Sequence, residues 1–167
     1  MELKPALKKL KESNEFKEWN KKNPDSFFSY AFKMLEDNKE QPWQFGFYNK
    51  SKDKVITFIV HQEKIEMQEE EEIFKKPDTK IKQIDIEKIT ISFKEILKKT
   101  EEFIKKKYPK ELSNKTIAIL QGLDKYGTVW NLTYITHSFN TINIKASPED
   151  GKILHDKIES IMGFIKK

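Results

Sequence analysis

Set against itself with Trp43 over Trp130, a shift of 87 residues, this chain aligns in two separate places. PWQFGFYNKSKDKVI, from Pro42, lies over VWNLTYITHSFNTIN, from Val129, without a gap. Phe45 meets Leu132, Phe47 meets Tyr134 and Val55 meets Ile142. Upstream, LKESNEF (Leu10–Phe16) lies over LKKTEEF (Leu97–Phe103), with Leu, Lys, a hydroxyl residue, Glu and Phe in register. One shift serving two distant segments is the mark of a duplication, and it restricts the chain to folds that use one small unit twice. At 167 residues, each copy is near the lower size limit for a self-sufficient core.

The second copy is the more regular. Ser92-Phe93-Lys94-Glu95 has the capping-box pattern, and Phe93, Ile96, Leu97, Thr100, Phe103 and Ile104 follow as one helical stripe. Pro109 disfavours helical geometry at Tyr108 and sets the stop. TIAIL (Thr116–Leu120) reads as a short strand, followed by a turn at Asp124–Gly127. Val129–Thr136 is a second strand with Trp130, Leu132 and Tyr134 on one face. After a hairpin near Ser138 come a third strand, Thr141–Ala146, a turn at Pro148–Gly151, and a short fourth strand at Lys152–His155.

The first copy repeats this order. A helix from Leu3 to Asn20 ends before Asn23-Pro24. FFSYAFKML (Phe27–Leu35) answers TIAIL and alternates aromatics at Phe28, Tyr30 and Phe32. WQFGFYN and KVITFIV form a hairpin across Ser51–Asp53, and HQEK leads on to KIEMQ. Between the copies, Lys75–Thr90 reads as an extended connector whose spaced isoleucines pack against something. At the C-terminus, Ile158, Ile161, Met162 and Ile165 fall on one helical face, which predicts a short helix closing the second unit. The expected fold is therefore α+β. It has two units, 1–76 and 77–167, each a helix on a three- to four-stranded antiparallel meander, plus that C-terminal helix.

Composition narrows the functions. Apolar residues make up 37% and aromatics 12%, enough for a packed core rather than a disordered chain. The net charge of +5 is the small difference of 32 basic and 27 acidic residues, and every basic residue is lysine. Arginine makes the bidentate contacts that read guanine and phosphate, so its absence argues against sequence-specific nucleic-acid binding. Cysteine is absent, which removes disulfides, thiolate metal sites and a cysteine nucleophile. No segment approaches the roughly 20 apolar residues of a membrane span, and the N-terminus lacks the apolar core of a signal peptide. As written the chain is expected in the cytoplasm, or outside it had a leader been removed.

No catalytic, cofactor or metal site is assigned. His61, His137 and His155 occupy positions that the repeat does not share. His137 and Ser138 adjoin a turn without a nucleophile elbow, and His155, Asp156 and Glu159 have no recognised ligand spacing. The run Glu69–Glu72 lacks the alternating ligands and central glycine of a calcium loop, so it reads as a solvated edge, with Lys75 and Lys76 nearby. Lys105–Lys107 suit a helix C-terminus. Trp43 and Trp130 each open an alternating apolar face, which makes them core residues rather than stacking platforms. No glycine loop for phosphate is present.

The capped ISFKEILKKTEEFIKKKYP helix, the alternating VWNLTYIT strand and ASPEDGKIL together resemble the PepSY domain family, over about residues 84–157. In that family the last strands run through a turn written Asp-x-x-Thr-Gly-x-x-Leu. Here Gly151 and Leu154 fit, Ser147 stands for the aspartate and Asp150 for the threonine. The first unit joins through the internal repeat, with HQEK replacing the glycine turn. The resemblance implies a tandem pair of cystatin-like units that are not an enzyme and need no cofactor. Such units are similar to modules in peptidase propeptides and cell-envelope proteins. The expected function is a non-catalytic protein- or peptide-binding module, peptidase-regulating or envelope-associated, engaging its partner at a sheet edge or in a groove between the units. The alternative is a small-ligand carrier or enzyme with a pocket between two sheets.

Overall fold

The computed structural model describes residues 1–72 and 80–162. The chain begins with two helices where apolar spacing predicts one: α1 (Leu3–Glu12) and α2 (Asn14–Lys22). Ser13 makes the break. Its backbone is extended, its Oγ donates to Leu10 O at 2.6 Å, and the same oxygen accepts from Phe16 N at 3.2 Å. A serine that closes one helix and caps the next lets the axis turn, so both helices bury their apolar faces. α1 buries Leu3, Ala6, Leu7 and Leu10, and α2 buries Phe16 and Trp19. Asn23 ends α2 by donating to Trp19 O at 2.9 Å and accepting from Asn49 at 3.0 Å.

The strands are β1 (Ser26–Glu36), β2 (Lys39–Glu40), β3 (Trp43–Asn49), β4 (Lys54–Val60), β5 (Ile65–Met67) and β6 (Glu71–Glu72). After a 3₁₀ turn at Ile86–Lys88 come α3 (Phe93–Lys107), β7 (Ser113–Leu123), β8 (Gly127–Thr136), β9 (Asn140–Ala146) and β10 (Ile153–Ser160). The ten strands of the described residues form one antiparallel sheet in the order β10-β9-β8-β7-β1-β3-β4-β5, with β2 on β1 and β6 on β4. β1 and β7, both eleven residues long and starting 87 positions apart, pair with each other at its centre, from Tyr30–Gln121 to Glu36–Lys115.

All three helices cover one face. Phe16 lies 5.0 Å from Phe47, and Trp19 lies 5.4 Å from Phe58. Phe93, at the start of α3, packs 5.1 Å from both Trp43 and Trp130. One apolar cluster therefore runs under all three helices. α3 starts at Ser92, whose side chain accepts from Glu95 N at 3.1 Å, and ends at Tyr108 as Pro109 requires. Residues 80–90 of the connector pack closely. Ile84 and Ile89 are buried, and Ile84 N donates to Phe28 O at 2.9 Å; the connector's residues 75–79 lie outside the described residues.

Two expectations need correction. The start of the C-terminal segment predicted as a helix, including Ile158, is strand through Ser160; Ile161 and Met162 are helical, and Ile165 lies outside the described residues. The open edge of β9 offers a hydrogen-bond ladder from Asn140 to Ala146, and through Ser160 that pairing overrides the helical apolar spacing. Nor do Phe28, Tyr30 and Phe32 share a face. The β1–β3 register shifts between Phe28 and Tyr30, so Ser29 is an extra residue and the alternation reverses across it.

Candidate functional site

Among the described residues, that bulge shapes a groove on the sheet face that carries no helix. Before it, Phe28 points into the core, 5.9 Å from Phe45 and 5.7 Å from Phe47. After it, Ala31 and Lys33 take the buried positions, and Tyr30 and Phe32 emerge on the side without helices. Buried Ser29 holds the kink by donating to Gly46 O at 3.1 Å. Gly46 is glycine because Tyr30 lies on it: a Cβ there would come within 1.9 Å of the tyrosine ring. The ring thus crosses β3, and its hydroxyl reaches Thr57 Oγ1 on β4 at 2.5 Å. Burial, the largest influence, pushes the Tyr30 phenol above its ordinary value, so it is neutral near pH 7.

Tyr30 and Phe32, with Ile119 opposite Phe32 on β7, line a groove of about 580 Å³ over the β1–β7 seam. Val55, Glu71 and Glu72 line it from the β4 and β6 side, and residues 80–82 from the connector side. Lys82 is fixed there by an ion pair with Asp124 at 2.8 Å. Its Cβ lies 2.8 Å from where Gly122 would place one, so the connector rests directly on β7. Among the described residues the groove's lining is mainly apolar, with acidic groups at one wall and lysines at the other. The Ser29 hydroxyl is committed to Gly46 O, and no histidine lines the groove.

The polar residues weighed in the sequence are dispersed. His61 faces Glu66 at 3.2 Å in the turn between β4 and β5. His137 is in the β8–β9 hairpin beside Ser138, where its N–H donates to Leu112 O at 2.9 Å. His155 lies on β10, at the opposite end of the sheet from His61. Asp156 accepts from Lys107 Nζ at 2.7 Å and from the Tyr108 hydroxyl at 2.6 Å, and Glu159 pairs with Lys157. Glu69–Glu72 include β6, where exposed Glu71 and Glu72 pair with Val55 and Lys54, while Glu70 meets Lys52 at 3.3 Å. Lys105–Lys107 occupy the last turn of α3.

Among the described residues no group of three or more His, Asp or Glu side chains is arranged to hold a metal ion. Trp43 and Trp130 are buried in the core, each 1% exposed; Trp43 Nε1 donates to Met1 O at 2.8 Å. Sequence reasoning did not single out Tyr30, Phe32 and Ile119 as site residues. The available signal was a serine between two aromatics in a strand, the kind of residue a bulge accommodates.

The fold and site define a two-layer α+β protein with helices on one face of a continuous antiparallel sheet and an apolar groove on the other. No helix among the described residues is long and apolar enough to cross a membrane. No known protein family, curated protein or solved structure matches the chain.

Proposed function

We propose that this chain is a non-catalytic binding module in which two PepSY-like, cystatin-like units are fused edge to edge, and that its groove takes an apolar stretch of a protein or peptide. The observation that carries the reading is the groove itself. It lies over the β1–β7 seam and is floored by Tyr30, Phe32 and Ile119. The duplication is supported by β1 and β7 starting 87 residues apart and by the strand orders β1-β3-β4-β5 and β7-β8-β9-β10 on either side. Regulation of a peptidase or placement at the cell envelope follows from the same family resemblance. A small-ligand carrier is the second reading, because about 580 Å³ falls within the range of small-molecule pockets.

Selection of random displayed peptides on the intact chain, followed by titration of the recovered peptides, tests this. Phe32→Glu and Ile119→Glu place charge in the groove at partly buried positions, and circular dichroism of each variant checks that it folds. Peptides that bind the parent and lose at least about tenfold in both variants support the module. Peptides that bind all three equally reject the groove. Binding of a short fatty acid such as decanoate, with no peptide recovered, transfers the site to the carrier reading.

A further inference from the structure

The two ends of the sheet are built differently. At one end β5 is three residues long, and the acidic run Glu69–Glu72 follows it. Short length and like charge are how natural sheets protect an edge. At the other end β10 runs eight residues and exposes Leu154 and Ile158, with exposed Met162 just beyond. A long edge with apolar side chains in solvent is a template for another strand.

The pairing of β10 with β9 fixes which backbone groups face outward. Ile161 N donates to Phe139 O at 2.8 Å, and the register is unbroken from His155–Lys145 to Ser160–Asn140. Hydrogen-bonded and non-hydrogen-bonded pairs alternate in an antiparallel ladder. Lys157 and Glu159 therefore turn their backbone groups toward β9, whereas Asp156, Ile158 and Ser160 turn theirs away from the sheet.

We propose that β10 pairs antiparallel with β10 of a second copy of this chain, in a register centred on Ile158. Asp156 then lies opposite Ser160 of the other copy and Ile158 opposite Ile158, all joined through the outward N–H and C=O groups. Lys157 lies opposite Glu159 twice, in the non-hydrogen-bonded pairs where side chains approach most closely. Leu154 of one copy and Met162 of the other fall at the same end of the joined strands. Charge favours this register over centring on Asp156, Lys157 or Glu159, each of which sets two like charges face to face, an arrangement that strand pairing disfavours. The two-fold axis stands perpendicular to the sheet, so both helix layers share one side and both grooves stay open. This dimer depends only on β10, and the groove reading stands or falls separately.

The chain is free of cysteine, which makes the test direct. Ile158→Cys is expected to form an intermolecular disulfide under mild oxidation, because facing Cα atoms in a hydrogen-bonded pair lie about 5.5 Å apart. His137→Cys, at the hairpin, is expected to form none. Equilibrium sedimentation up to about 1 mM chain reads the affinity of an edge contact this small. Lys157→Glu sets glutamates opposite each other and is expected to weaken association about tenfold. The double variant Lys157→Glu/Glu159→Lys restores the pairing and should recover the parent value. A parent that stays monomeric at the highest concentration, with no cross-link formed by the Ile158→Cys variant, overturns the proposal. So does a dimer indifferent to Lys157→Glu, and circular dichroism of each variant separates lost association from lost fold.

Discussion

Thr100 and Tyr134 meet inside the core, one from α3 and one from β8, with their hydroxyls 2.5 Å apart. Both are fully buried, and burial pushes the Tyr134 phenol above its ordinary value, so it is neutral near pH 7. The two residues are not equivalent. The Thr100 hydroxyl also reaches Ile96 O at 2.9 Å and Leu97 O at 3.1 Å, whereas the Tyr134 hydroxyl depends on Thr100. Thr100→Val leaves a buried phenol unpaired and is expected to cost about 1–3 kcal/mol; Tyr134→Phe leaves Thr100 satisfied and should cost about 0.5–1.5 kcal/mol. Urea denaturation of both variants checks the order, and equal losses would contradict it. The burial of Tyr134 was legible in the sequence because it alternates in register with Trp130 and Leu132. Tyr30 was not, since a bulge is set by which backbone groups the neighbouring strand leaves to pair, and period-two counting cannot register an extra residue.

The same limit governs whole elements. α3 could be read residue by residue, since its cap, stripe and stop are local features of the chain. β10 could be read only at its start, in the strand expected at Lys152–His155; its extension to Ser160 is decided by the free edge of β9, a separate strand across a turn. A side chain ties strand to helix: Asp156 on β10 accepts from Lys107 and Tyr108 at the end of α3. Those two hydrogen bonds, Lys107 first, hold the Asp156 carboxyl below its ordinary 3.8. A depressed carboxyl stabilises the fold above pH 3.8, and that contribution disappears as pH falls through the lower folded value. Asp156→Asn should therefore be less stable than the parent near neutral pH. The difference should shrink as the parent is acidified below about pH 4. Thermal melts across that range measure it. A gap that stays constant or widens in acid would show that the carboxylate's charge is not what joins strand to helix.

At the scale of the molecule the seam is the decisive contact. Seven registered pairs join β1 to β7 at the middle of the sheet, and Phe93 bridges Trp43 on one side to Trp130 on the other. The 87-residue shift aligned two halves of the sequence. It could not show that their first strands would pair, because a strand's partner is chosen by the surface its neighbours leave open. Parting the chain between residues 76 and 77 would bare β1 and β7 together. Each is eleven residues long, with apolar side chains on both faces, and such edges aggregate rather than stand in water. Each half would also lose part of a core already small for its length. The whole chain should thus unfold in one cooperative step, with far-ultraviolet circular dichroism and tryptophan fluorescence giving the same midpoint. Fluorescence samples both halves, through Trp19 and Trp43 in one and Trp130 in the other. The separate fragments 1–76 and 77–167 should each fail to give a cooperative transition. Two resolved steps in the intact chain, or a fragment that melts cooperatively alone, would mean that each half carries its own stability and the seam merely docks them.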